Sequence, residues 1–320
     1  MSAALAHPTP LPVLEPASPL TAPTVPLMWV TLGLGGVIFL IVTGLTLYFA
    51  WRYKHRGAPG EPPQIFGNAR DELIWMGLAL AVLALLFGLS WASLGRVDPE
   101  AGQGGPPDLI VTGQQWFWTA SYPAGGAAVR VANELHIPTG RRLLVELRSA
   151  DVIHDFWMPQ LARKLDAIPG QTGRLWIQAD HPGTYAGLCA EFCGAQHAWM
   201  RFNVVAQTPQ DYAAWLAAQA RPARAALEGD AAAGAALFAR QGCGSCHTVR
   251  GAGAGGQNGP DLTHFASRGI LAGGVLPNTP DTLRRWLRDP QAVKPGTRMP
   301  NFRLNDHQLN ELTAYLETLR

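Results

Sequence analysis

The sequence is poor in charge: Asp, Glu, Lys and Arg make up only 15% of its 320 residues, against a hydrophobic fraction of 48%. Soluble domains run near one quarter charged, so the shortage argues against an all-soluble chain and for membrane segments or low-complexity linkers. A strong charge imbalance is also missing. The net charge is +2 and no basic run is interleaved with aromatics, which argues against nucleic acid as a partner. Scattered cysteines are absent too. The four cysteines form two tight pairs, Cys189 with Cys193 and Cys243 with Cys246, which is not the layout of a disulfide framework. No internal repeat is visible. The first 26 residues hold seven prolines and no Lys or Arg. They lack the positive region of a secretory signal and read as a flexible lead.

Two runs carry no charged side chain at all, Leu27 to Trp51 and Leu73 to Leu94. Each is long enough for the roughly 20 apolar residues that cross a bilayer. Trp29, Trp51, Trp75 and Trp91 stand near their ends, as interfacial aromatics do. The loop between the runs carries Arg52, Lys54, Arg56 and Arg70, and the far flank carries Arg96, Asp98 and Glu100. The positive-inside rule puts that loop in the cytoplasm. Both termini, and everything after about residue 95, then face the other side. Glu72 sits at the cytoplasmic mouth of the second run, where a helix N-terminus favours its charge.

Short β-like runs follow: Leu109–Thr112, Trp116–Tyr122, Leu143–Leu147, Arg174–Gln178 and Phe202–Ala206, a pattern of sandwiches and barrels. The Ala-rich stretch Asp211–Ala226 reads as helical and linker-like. Beyond it the pattern is helical, with Asp281–Leu287 and Asp306–Leu319 amphipathic. The segmentation is a lead over 1–26, a membrane hairpin over 27–96, a β domain over 105–208, a linker over 209–227 and a helical domain over 228–320.

The segment Gly187–Met200 concentrates Cys189, Glu191, Cys193, His197 and Met200. Two thiolates, an imidazole and a thioether make a soft ligand set that suits copper. The second thiolate allows both sulfurs to bridge two copper ions. A further imidazole is then needed, and His154, after a strand-like run and before Phe156-Trp157, fits better than His136 or His181, which read as surface or turn residues. A Cys189–Cys193 disulfide or a structural zinc site remain alternatives on spacing alone. Neither accounts for Met200.

Cys243 to His247 reads C-x-x-C-H, the spacing for covalent attachment of haem, with His247 as the proximal iron ligand. Met299 is the one methionine of the helical domain and the candidate sixth ligand. His264 and His307 read as surface residues.

The run CAEFCGAQHAWM has the form C-x-E-x-C-x3-H-x2-M and resembles the binuclear copper motif of cytochrome c oxidase subunit II. VIHDFWMPQL, KLDAIPGQ and GQQWFWTASYP resemble three further segments of that family, and DELIW resembles a fourth. KPGTRMPNF and Asn258–Leu262 resemble the distal and proximal loops of class I cytochromes c. The first resemblance covers about residues 25 to 206 and the second about 228 to 320. It implies a two-helix transmembrane hairpin, an all-β cupredoxin-like Greek-key barrel and an all-α cytochrome c domain. It also implies a binuclear copper centre held by His154, Cys189, Cys193, His197, Met200 and the carbonyl of Glu191. The Glu191 side chain would serve a magnesium site shared with subunit I. Trp116 would receive electrons, and Glu72 would stand at a proton pathway. Pro260 would orient His247 and Trp286 would pack at the haem edge. Implied partners are subunits I and III of a haem-copper oxidase in a bacterial plasma membrane, with a soluble cytochrome c as donor. Asp155 and Gln171 depart from the family pattern, in which a small hydroxyl residue and an arginine are usual. Two further readings are an electron-input subunit of a copper-containing nitric oxide reductase and a stand-alone tethered carrier. A quinol oxidase subunit II would lack the copper ligands. Residues 106 to 206 hold eight acids and eight bases, so they show no acidic surplus for steering a basic donor, which fits a tethered one.

Overall fold

The computed structural model describes residues 12–54, 64, 66–97, 105–123, 129–223 and 228–320. Arg56, Asp98 and Glu100, and Ala226 at the end of the predicted linker helix, lie outside the described residues. The chain forms two compact units, Ala22–Pro99 and the remainder.

The first unit holds two helices, α1 (Thr24–Arg52) and α2 (Ala69–Val97), of 29 residues each. At 1.5 Å per residue each spans about 44 Å, more than the hydrocarbon core. Neither has a buried residue. Core helices of a soluble protein would hide these side chains, whereas helices of this length and hydropathy are suited to a bilayer. Glu72 lies in the exposed first turn of α2, where its N–H donates to the Asn68 carbonyl (3.0 Å).

The second unit begins with a β domain of ten strands. β1 (Leu109–Gln114), β2 (Phe117–Tyr122), β3 (Val129–Ala132), β5 (Leu143–Ser149) and β8 (Gly173–Ile177) form one sheet in the order β3-β2-β1-β5-β8. β4 (Glu134–Pro138), β6 (His154–Trp157), β7 (Leu165–Ala167), β9 (Gly183–Cys189) and β10 (Arg201–Gln207) form the other in the order β4-β10-β9-β6-β7. Pairing is antiparallel except for β1 with β5 and β4 with β10. Alternate residues of β1 and β10 are buried, as the two-residue period of a half-buried strand requires. Both sheets share one core. Its centre is the fully buried Trp118, edge-on to Phe156 (5.0 Å) and Phe202 (5.8 Å), which stack on each other at 4.4 Å.

Two predicted features differ here. The proline-rich lead is not wholly flexible: Ala17 donates to the Gln160 carbonyl and its own carbonyl accepts from Asp180 N–H, both at 2.9 Å, while Leu20 is fully buried. Proline lacks an N–H, but Ala17 and Thr21 between the prolines keep theirs, and both are used. The predicted linker starts as α3 (Pro209–Gln219), capped by Thr208. Its Tyr212, Trp215 and Leu216 pack on the β core, and Trp215 stacks on His136 at 4.1 Å. His136 is therefore neither a surface residue nor near the cysteines: it is buried beneath that helix.

The C-terminal module contains α4 (Gly229–Arg240), α5 (Pro280–Arg288), α6 (Pro290–Val293) and α7 (Asp306–Thr318). Asn305 and Gln308 form a capping box that starts α7, which buries Leu309, Leu312 and Leu316. Each such leucine contributes about 1.5–3 kcal/mol. α4 crosses α7 closely because Gly234 lies against the Glu311 carbonyl, where a Cβ would overlap. The module is not wholly helical. Two-residue strands pair as β11 (Thr248–Val249) with β12 (Ala254–Gly255) and β13 (Ile270–Leu271) with β14 (Leu276–Pro277). They close the glycine-containing loops that the helical pattern leaves unassigned. His264 is buried, with Nε2 at 3.0 Å from the Arg221 carbonyl, whereas the sequence reads it as exposed.

Candidate metal and haem sites

β6 and β9 are neighbours, so His154 at the start of one faces Cys189 at the end of the other. The loop after Cys189 returns through a single helical turn at His197–Trp199 into β10. A hydrogen bond from Cys189 N–H to the Met200 carbonyl (3.0 Å) closes it. The cysteine sulfurs are then 3.7 Å apart. His154 Nδ1 lies 3.9 Å from Cys189 Sγ, and His197 Nδ1 lies 3.6 Å from Cys193 Sγ. Met200 Sδ is 3.8 Å from Cys193 Sγ, and the Glu191 carbonyl oxygen is 3.2 Å from Cys189 Sγ. The donor atoms of His154, Cys189 and Cys193 all fall within 4.8 Å of one another. All six residues singled out in the sequence therefore converge, and both thiols are free.

The electrostatics suit a cation. The hydrogen bond from Cys193 and then the one with His154 pull the Cys189 thiol down to about 3, against burial. Cys193 is pushed up by the same bond and by burial. Two soft sulfurs held without a disulfide, each beside an imidazole nitrogen, fit copper.

Around this cluster lie residues the sequence reading did not single out. Asp151 Oδ1 is 2.8 Å from His154 Nε2, which leaves Nδ1 for the sulfur side. Burial pushes the Asp151 carboxyl up, but hydrogen bonds from His154, Gln115 and Val152 outweigh it and hold it below 3.8. Gln115 Nε2 and Trp116 Nε1 both donate to the Cys193 carbonyl, at 2.8 and 3.0 Å. Asp151 and Gln115 carry no spacing signal, since strand pairing alone brings them to the site. Asp155 is buried, with Lys164 at 3.5 Å from its carboxylate. Burial first, then Asp166, pushes its carboxyl up to about 6. The Glu191 side chain, Gln171 and His181 are exposed.

In the C-terminal module, Cys243, Cys246 and His247 border a cleft of about 790 Å³ that Met299, Trp286 and Phe238 also line. His247 Nδ1 lies 2.8 Å from the Pro260 carbonyl oxygen, so Nε2 is the nitrogen left for a ligand. Gly259 makes the approach possible: a Cβ there would come within 2.6 Å of the imidazole. A single apolar cleft with two free thiols on one wall, an oriented imidazole and a thioether fits a covalently held haem. The same cleft is lined by Gln115, Trp116 and Phe117 of the β domain. His307 stays outside it, exposed and paired with Glu311 at 3.3 Å.

Membrane-length helices, a thiolate–imidazole cluster in a two-sheet domain and a haem-type cleft facing it define a membrane-anchored electron-transfer subunit. Comparison with known proteins narrows the class. Residues 123–207 match the family model for the periplasmic domain of cytochrome c oxidase subunit II, and residues 231–320 match that for cytochrome c. The chain is 34% identical over 283 residues to a cytochrome c oxidase subunit 2 of Alkalihalophilus pseudofirmus, covering 86% of this chain and 81% of that one. It is 29% identical over 298 residues to a cytochrome c oxidase subunit 2 of Bacillus subtilis, covering 85% and 82%. The solved periplasmic domain of subunit II of the Bradyrhizobium japonicum cytochrome oxidase is 30% identical over 36% of this chain and 95% of that one, with a TM-score of 0.34. The chain belongs to the cytochrome c oxidase subunit 2 family and carries a cytochrome c domain at its C-terminal side. Copper and haem are the cofactors this pair of domains implies.

Proposed function

We propose that this chain brings electrons from a soluble cytochrome c or similar donor to subunit I of a haem-copper oxidase, where oxygen is reduced to water with proton translocation. The observation that carries the proposal is the convergence of six ligand-capable residues on one side of Trp116 while a haem-type cleft opens on the other. When bound, the haem and the copper supply two one-electron centres in sequence.

In this reading Cys243 and Cys246 attach the haem, and His247 and Met299 ligate its iron. Pro260 accepts from His247 Nδ1 and fixes its ring, and Trp286 packs at the cleft. His154, Cys189, Cys193, His197, Met200 and the Glu191 carbonyl would hold the copper, which would supply a one-electron centre there. Trp116 receives the electron and leads it through its indole N–H to the Cys193 carbonyl. The exposed Glu191 carboxylate is free to complete a magnesium site with subunit I, and Glu72 to stand at a proton pathway. Subunit III is a further partner.

The strap supports a reading of the sidedness. Residues 17–21 hydrogen-bond to the β domain, and among the described residues two membrane-length helices separate them from it in sequence. An even number of crossings returns the chain to its starting side. Arg52, Lys54 and Arg70 support a cytoplasmic loop in a bacterial plasma membrane, with both termini and the copper and haem modules outside.

Metal analysis and EPR of the purified chain test the sites: two copper ions with a mixed-valence signal and one low-spin haem are expected, and zinc or a single copper overturns the assignment. Gas uptake by the purified complex tests the reaction. Oxygen consumption is expected, and nitric oxide consumption without it would refute the oxidase role.

A further inference from the structure

Lys294 follows α6 in the haem module. Its residue is 4% exposed, yet it belongs to none of the ion pairs among the described residues. Lysine is almost never fully buried unless paired, because an unpaired ammonium loses its hydration. This side chain ends across the boundary between the two modules, with Nζ 3.5 Å from the Trp116 carbonyl oxygen. The route is kept open by Gly273, whose φ is +71°. A Cβ at Gly273 would lie 2.9 Å from Lys294 Nζ, 3.2 Å from the Trp199 carbonyl oxygen and 3.5 Å from that of Trp116. Burial pushes the ammonium down to about 8.

The contacts around it are of another kind. Gly269 N–H donates to the Glu134 carboxylate (2.8 Å), and Arg201 N–H donates to the Gly273 carbonyl (3.1 Å). Arg298, beside Met299, donates to Gln115 Oε1 and lies 5.5 Å over the Trp116 ring, but it is exposed. Lys294 is thus the one buried lysine among the described residues, and it reaches the Trp116 hairpin itself.

We propose that Lys294 is a positioning residue whose buried ammonium latches the haem module onto the Trp116 hairpin and so fixes the gap an electron must cross. The inference rests on the relay described above. Exposed charges, on which docking of a soluble donor depends, are screened over about 8–10 Å at ordinary salt, and a buried latch is not. Transfer within the chain is therefore insensitive to ionic strength, while reduction by the soluble donor is not.

The test uses the full chain in detergent with Lys294→Met, Lys294→Arg and Gly273→Ala. The first readout needs no metal: hydrogen exchange at the Arg201 and Gly269 amides in the copper-free chain. The second is the rate of haem-to-copper transfer after flash reduction of the haem, at low and high salt. Lys294→Met is expected to lower the protection of both amides and the transfer rate about tenfold, the scale of one hydrogen bond to a charged group, and to make the rate salt-sensitive. Lys294→Arg restores most of both. Gly273→Ala, which blocks the route but keeps the lysine, repeats the loss. Unchanged protection and rate in Lys294→Met overturn the latch. So does loss of haem or copper loading in both Lys294→Met and Gly273→Ala, which would make the lysine a support of the sites themselves. If the unmodified chain shows no haem-to-copper transfer, the relay fails, and amide protection still judges the latch.

Discussion

Removing Asp151 should loosen copper by unlocking His154. The carboxylate serves three donors at once. Its Oδ1 takes His154 Nε2 at 2.8 Å and Val152 N–H at 2.7 Å, and Oδ2 takes Gln115 N–H at 2.7 Å. The His154 side chain is fully buried against this carboxylate, so in Asp151→Ala its N–H loses the fixed acceptor that orients the ring. The imidazole is then free to turn Nδ1 away from Cys189, and the Gln115–Trp116 hairpin loses its anchor. Loss of a group that orients a metal-binding histidine costs about 10–100-fold in affinity. That factor corresponds to about 1.4–2.8 kcal/mol. Asp151→Asn should fall between, because one amide oxygen cannot replace two carboxylate oxygens, and one donor must then face the NH2 group. The assay is copper titration of the metal-free chain against a competing chelator, with EPR of the loaded form. Unchanged affinity and spectrum in Asp151→Ala would refute the orienting role. The metal-free chain gives a second check. The Asp151 carboxyl is held below its ordinary value, so its stabilisation is present above about pH 4 and lost as pH falls through the native value. Asp151→Ala should flatten that acid limb of the stability curve.

Three other perturbations address separate parts of the molecule. Gly259→Ala places a Cβ 2.6 Å from the His247 ring, and should pull Nδ1 off Pro260 and weaken the haem's low-spin spectrum while attachment through Cys243 and Cys246 persists; an unaltered spectrum would count against the His247 ligand role. Asp155→Asn should stabilise the metal-free chain at pH 7, by up to about 3 kcal/mol from the gap between 3.8 and about 6, less the lost Lys164 pair. The raised value means the native state holds the proton more tightly, so the gain should vanish below about pH 4, and denaturant titrations at both pH values check it. Leu20→Ala should cost about 2–5 kcal/mol if the strap is part of the β domain, and an unchanged unfolding midpoint would return the lead to a flexible tail.

The parts of this molecule set by chemistry along one stretch of chain were readable before any coordinates. CGSCH and CAEFCGAQHAWM gather their candidate ligands by local spacing, and charge-free runs of membrane length need no tertiary context. The parts set by pairing were not. β3, β4, β6, β7 and β9 escape a scan for apolar runs because they are short or carry polar residues such as His136 and Asp155 that are buried through specific partners. Asp151 belongs to the same class, since nothing in its neighbours along the chain distinguishes it from a loop aspartate. Trp215 shows the converse error. An Ala-rich stretch reads as a linker, and two aromatic residues, Tyr212 and Trp215, are enough to seat it on Tyr122 and His136.

The balance of eight acids and eight bases in the β domain predicts a tethered donor through what is missing, a surface surplus for steering. The boundary between the modules gives that balance a cause. A partner that arrives by diffusion must be captured by exposed opposite charge. A partner already on the same chain meets the hairpin at high effective concentration and needs only short-range fit. Accordingly the contact includes two backbone amides, one of them on the buried Glu134 carboxylate, a glycine with positive φ, one buried ammonium and the Gln114 side chain on the Gln257 carbonyl, while the exposed Arg298 meets an indole ring and an amide. None of these contacts leaves a mark in net charge, so composition could exclude one mode of docking here but could not describe the mode that replaced it.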